Sequence, residues 1–167
     1  QALAAEEHAA LSTAVAGHLA HALPITDGAV LAFCWPVRNE PDLRHFVTGL
    51  RSAGLRTVLP VVVRPGVPLA FREWWPEQPL QADRFGIPAP TDGDFLTPDI
   101  LLLPVNAFDR NNYRLGYGGG FFDRTLAALS SRKPQAIGVG FDFQRVDSIR
   151  PGIHDRPLDL MVTESGC

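Results

Sequence analysis

Lysine is almost missing from this chain: of its 15 lysine and arginine residues, only Lys133 is a lysine, and no basic residue precedes Arg38. The cations available for chemistry are therefore arginines, whose planar fork suits bidentate contact with phosphate and carboxylate. Cysteine is equally scarce. Cys34 lies in an apolar run and Cys167 at the last position, a spacing that gives neither a disulfide framework nor a metal-ligand pattern, and a reduced, cytoplasmic setting is expected. The five histidines form no metal motif either. The first 24 residues hold no positive charge and no long unbroken apolar stretch, so neither a signal peptide nor a membrane span is expected. A net charge of −3 with 20% charged residues lacks the electrostatic footprint of a nucleic-acid or membrane-surface partner. No repeat or low-complexity segment interrupts the chain.

What is present is enough apolar material for one core: 46% of 167 residues, which predicts a single domain over residues 1–167. Residues 2–22 read as an amphipathic helix through Leu3, Leu11, Val15 and Leu19, ended by Pro24. The continuous apolar run at 28–35 predicts a strand covered on both faces. Asn39 is placed to cap a helix with Leu43, Phe46, Val47 and Leu50 as its apolar face, closing near Gly54. Residues 56–63 predict a second strand. The stretch 64–98, dense in proline and glycine yet holding Trp74 and Trp75, predicts short hairpins and loops rather than a linker. Further strands are expected at 99–108, 135–141 and 158–164, with a helix at 121–131. Strands alternating with helices imply an α/β fold, a three-layer domain with a mainly parallel sheet flanked by helices. Ligands in such folds sit beyond the carboxyl ends of the strands.

The segment Tyr113–Arg124, YRLGYGGGFFDR, carries the densest chemistry. Successive glycines let a ligand approach backbone amides, and the predicted helix start that follows offers unpaired N–H groups to an anion. Arg114 and Arg124 flank this loop as phosphate-binding cations. Asp123 suits a magnesium ion shared with a nucleotide, or it complements the dipole of the helix it opens; loop chemistry alone leaves both readings standing. The spacing fits neither GxxxxGK[ST] nor GxGxxG, and a tight turn alone would account for the glycines but not for the arginines and Asp123 as a group.

The run LLLPVNAFDRNNYRLGYGGGFFDR resembles the signature of the 5-formyltetrahydrofolate cyclo-ligase family, also called methenyltetrahydrofolate synthetases. Blocks at 38–44, 59–62, 85–90, 136–144 and 154–164 resemble other parts of that family in order. The resemblance implies ATP- and magnesium-dependent conversion of 5-formyltetrahydrofolate to 5,10-methenyltetrahydrofolate, with release of ADP and phosphate. It further implies that Gly116, Tyr117, Gly118, Gly119, Gly120, Phe121 and Arg124 hold ATP, and that Arg114 and Asp123 are catalytic, with Asp123 also the metal ligand. Glu40, Trp74 and Phe122 fall on the reduced-folate side, although Trp74 taken alone reads as a core residue. His154 and Asp155 match a family His-Asp pair, expected to play a supporting role because adjacent side chains diverge. Asp109 is expected to pair with Arg114 or simply to make a turn.

The chain departs from the pattern in three places. Its first helix lacks the usual Lys and Arg residues, Phe122 stands where tyrosine is common, and Ala89 stands where glutamate is usual. The second functional reading is a relative that binds a folate or nucleotide without turnover; a third, a sugar-phosphate isomerase or acyl-transfer enzyme, needs no ATP. The expected partners are small molecules, and a cytoplasmic monomer is expected.

Overall fold

A computed structural model describes residues 3–24, 26–116, 120–153 and 155–167. Helix α1 (Ala5–Ala22) leads into strand β1 (Val30–Ala32), helix α2 (Arg44–Ser52) and strand β2 (Arg56–Val61). Strand β3 (Ala70–Glu73) runs antiparallel to β2, and β4 (Leu80–Ala82) pairs with β5 (Pro88–Pro90) as a separate hairpin. After β6 (Ile100–Pro104) comes a second hairpin, β7 (Ala107–Phe108) with β8 (Arg114–Leu115). Helix α3 (Phe121–Ala128), β9 (Gln135–Val139), a 3₁₀ turn at Asp142–Gln144 and β10 (Leu160–Val162) complete the chain.

The six-stranded sheet has the order β10-β9-β6-β1-β2-β3. All neighbours are parallel except β2 and β3. Side chains alternate across it as strand geometry requires. Leu31, Phe33, Leu59, Ile100, Leu102, Ile137 and Val139 face one way and pack with Val15 and Leu19 of α1 and Val47 and Leu50 of α2. Ala32, Val58, Leu101, Leu103 and Ala136 face the other way, against Leu126 of α3, Phe108 and Phe71. The result is the α/β architecture expected, helices on both faces of a mostly parallel sheet.

From β1 the chain crosses to β2 on one side, and from β6 to β9 on the other. Strands β1 and β6 are neighbours, so the strand order reverses between them, the place in open α/β sheets beyond whose carboxyl ends ligands bind.

Several boundaries shift for physical reasons. The second helix begins at Arg44 rather than at Asn39, because the Asp42 carboxylate accepts the Arg44 N–H at 3.1 Å and grips its guanidinium at 2.7 Å. Asn39 instead accepts the Leu3 N–H at 3.4 Å. The run expected as one strand at 99–108 breaks after Pro104, since the Asn106 N–H turns to the Leu115 carbonyl and starts the hairpin. Helix α3 stops at Ala128, β9 at Val139 and β10 at Val162, each shorter than its apolar run. No helix among the described residues is long and apolar enough to cross a membrane.

Candidate active site

Two segments follow the carboxyl ends of β1 and β6. One, residues 33–43, carries Glu40; the other is the β7–β8 hairpin, which delivers Arg114. Asp109 builds the hairpin turn: its Oδ1 accepts the N–H groups of Asn111 and Tyr113, and Asn112 takes a positive φ of 64°. The expected Asp109 pairing with Arg114 is replaced by these backbone contacts, which consume the carboxylate.

Arg114 lies on β8 of this hairpin. Burial lowers its pKa, and Asp123, Cys34 and Asp155 act in the opposite sense. The guanidinium lies 5.2 Å from the Phe122 ring centroid. Cys34, half-buried at the end of β1, has its pKa raised strongly by burial and then by Glu40, against the pull of Arg114. The thiol is therefore neutral at physiological pH and inert as a nucleophile. Glu40 and Arg114 thus both act on the thiol that follows β1.

Glu40 is 5% exposed although it sits on an irregular loop. One carboxylate oxygen, Oε1, accepts the Val37 N–H at 3.1 Å, and the Glu40 N–H returns a bond to the Val37 carbonyl. Trp74, 4% exposed, packs edge-on against Phe33 at 5.0 Å within the core. It backs the strand end from inside the core.

The glycine loop reaches α3 at Gly120, which adopts the left-handed conformation (φ 67°) just before the first helical residue. Both described glycines of the loop make room for arginine. A Cβ on Gly116 would lie 2.5 Å from Arg114 Nη1, and one on Gly120 would lie 3.0 Å from Arg124 Nη1. Arg124 stacks over Phe121 at 5.0 Å, and its Nε is buried with no hydrogen-bond partner among the described residues. Tyr117, Gly118, Gly119 and His154 lie outside the described residues.

Beside α3, a cleft of about 360 Å³ is lined by Asp123, Arg124, Ala127, Ile153, Asp155 and Arg156. Asp123 is the site residue expected from the sequence, and Asp155, expected in a supporting role, joins it here. The fold brings the two carboxylates to one cleft, and both act on Arg114. The sequence signal was the charged His154-Asp155-Arg156 run, but nothing local in it specifies α3 as its neighbour. Two carboxylates beside arginines, with an unmatched buried N–H donor, suit a polyanion carried with a divalent cation. Among the described residues no group of three or more metal-ligating side chains comes together. Magnesium takes one or two carboxylates and completes its shell with phosphate oxygens and water, so Asp123 and Asp155 are the side chains of this cleft that could hold it.

Comparison with known proteins gives a consistent result. The model of the 5-formyltetrahydrofolate cyclo-ligase family matches residues 1–164. The 5-formyltetrahydrofolate cyclo-ligase of Escherichia coli strain K12 is 33% identical over 148 residues, covering 85% of this chain and 81% of that protein. Its namesake from Mycolicibacterium smegmatis is 34% identical over 153 residues, covering 84% and 76%. Among solved structures, the 5,10-methenyltetrahydrofolate synthetase of Aquifex aeolicus superposes with a TM-score of 0.80 at 29% identity, over 98% of this chain and 83% of that one. The 5,10-methenyltetrahydrofolate synthetase of Mycoplasma pneumoniae gives 0.78 at 25% identity, over 98% and 90%.

Proposed function

The chain belongs to the 5-formyltetrahydrofolate cyclo-ligase family, and from that premise we propose that it converts 5-formyltetrahydrofolate to 5,10-methenyltetrahydrofolate at the expense of ATP, releasing ADP and phosphate. The observation that carries the reading is the cleft beside α3 that gathers Asp123, Arg124, Asp155 and Arg156, with the Arg124 Nε buried and unmatched among the described residues and both carboxylates acting on Arg114.

In this reading the formyl oxygen attacks the terminal phosphorus of ATP and ADP departs. The neighbouring folate nitrogen then adds to the activated carbon, and loss of phosphate with the nitrogen's proton leaves the methenyl bridge. Formyl oxygen is a poor leaving group until phosphorylated, and phosphoryl transfer is catalysed chiefly by alignment and charge neutralisation. Arg114 supplies a desolvated positive charge at the transferring group, and desolvation strengthens its pull. Arg124 offers its buried Nε, and the loop from Gly116 to Phe121 cradles the phosphates at the start of α3. Asp123 and Asp155 would hold magnesium, which when bound screens phosphate charge. On the opposite side, the Glu40 carboxylate accepts hydrogen bonds from the N–H and amino groups of the pterin, with Phe122 beside Arg114 as an apolar wall. Trp74 supports that side indirectly, through Phe33.

A second reading, ligand binding without turnover, is favoured by α1, which brings no lysine or arginine to the phosphates. The two readings separate in one experiment: ADP production measured with ATP alone and with ATP plus 5-formyltetrahydrofolate. Folate-dependent ADP release supports the cyclo-ligase; affinity for both ligands without ADP release supports the binding module.

A further inference from the structure

Positions 8, 12, 15 and 19 of α1 follow the spacing of one helix face. Val15 and Leu19 are fully buried apolar residues, Ser12 is 4% exposed, and His8 is half-buried. The inward stripe thus turns polar in its first half, and polar groups on a core-facing stripe need partners. Both find them in the segment that carries Glu40. His8 Nε2 lies 2.6 Å from the Glu40 carbonyl oxygen. A carbonyl only accepts, so Nε2 carries the proton and donates. Ser12 Oγ accepts the Asp42 N–H at 3.0 Å, and the Leu3 N–H reaches Asn39 Oδ1. The His8 ring also stands edge-on to Phe141, 6.0 Å away, just past the end of β9.

The segment held in this way has no regular structure of its own: residues 33–43 contain neither strand nor helix, and Arg38 sits at a positive φ of 54°. A buried carboxylate on such a loop keeps its aim only if neighbours fix the backbone. We propose that His8 is a positioning residue for Glu40: its bond to the Glu40 carbonyl, seconded by Ser12 on Asp42, fixes the loop and thereby sets the affinity for the pterin end of the substrate. Helix α1 contributes to the site here through a backbone clamp on the folate side. The inference rests on the reading in which Glu40 meets the reduced folate.

Two variants test it. His8→Leu keeps bulk without a donor, whereas His8→Gln places an amide N–H close to the position of Nε2. His8→Leu is expected to speed hydrogen exchange at the Val37 and Glu40 amides, and to raise KM for 5-formyltetrahydrofolate about 10-fold, the upper range for one lost hydrogen bond, with KM for ATP unchanged. His8→Gln is expected to restore both. Unchanged exchange and folate KM in His8→Leu, an equal rise in both KM values, or failure of His8→Gln to restore either one would overturn the proposal. If His8→Leu does not fold, Ser12→Ala must show the same split between folate and ATP. If the wild-type protein turns nothing over, the functional reading fails, and the exchange comparison alone decides the clamp.

Discussion

The Asp109 carboxylate binds the Ile149 backbone: Oδ2 accepts the Ile149 N–H at 2.9 Å while Oδ1 serves the hairpin turn. Asp109 is 2% exposed. This contact joins the hairpin that delivers Arg114 to the segment that precedes Asp155, so one buried turn residue ties the two segments together.

That bond makes the protein acid-sensitive in a defined direction. Burial raises the Asp109 pKa, but the N–H groups of Ile149, Tyr113 and Asn111 together hold it below its ordinary 3.8. The unfolded state therefore takes up the proton first. The stabilisation is fully present above the unfolded value and is lost as pH falls through the lower folded value. Asp109→Asn puts an amide donor where an acceptor is needed, and should cost roughly 1–3 kcal/mol at neutral pH. Urea unfolding of both proteins at pH 7 and across the acid range checks it. Equal stability at pH 7 would remove Asp109 from the account.

Arg114→Lys keeps the charge but loses the planar fork. We expect kcat/KM to fall about 100-fold, as for loss of one transition-state donor, with an unchanged melting temperature. Steady-state kinetics beside thermal melts measure this. Activity near that of the wild type would show that Arg114 acts only as a diffuse charge.

If the two carboxylates of the cleft hold magnesium as proposed, Asp123→Asn and Asp155→Asn should each raise the magnesium concentration needed for half-maximal activity by about 10-fold or more, because each removes one negative charge from the cleft. Magnesium titrations of turnover provide the comparison. If only Asp123→Asn moves the midpoint, Asp155 serves Arg114 rather than the metal.

Gly120→Ala meets two obstacles. Its φ of 67° disfavours a Cβ by about 1–2 kcal/mol, and the new methyl would press on Arg124 Nη1 at 3.0 Å. Lower stability and a raised KM for ATP are expected together. A variant that melts lower yet binds ATP normally would separate the helix start from the phosphate cradle.

How much of this was legible in the sequence depends on the distance over which each feature is decided. Continuous apolar runs such as LLLP announce a two-sided strand, because both faces of β6 are covered. The same runs cannot say where pairing stops: the bend after Pro104 follows from Asn106 meeting Leu115, a partner chosen by the hairpin. Gly116 and Gly120 were legible as a loop, but their role in admitting two guanidinium groups emerged only with side-chain positions. Asp155 was visible as a charged residue and its union with Asp123 was not, since the two lie on separate segments brought together by tertiary packing. The polar half of the α1 stripe was open to periodicity analysis, yet its partners belong to a loop with no period of its own.

The most direct test of the central claim is the absorbance of 5,10-methenyltetrahydrofolate after mixing the protein with 5-formyltetrahydrofolate, ATP and magnesium, with Arg114→Gln as the control. The account predicts a rise that requires ATP, matches ADP release mole for mole, and falls by orders of magnitude in the variant. A folded wild-type protein that binds both ligands and gives no rise would contradict it.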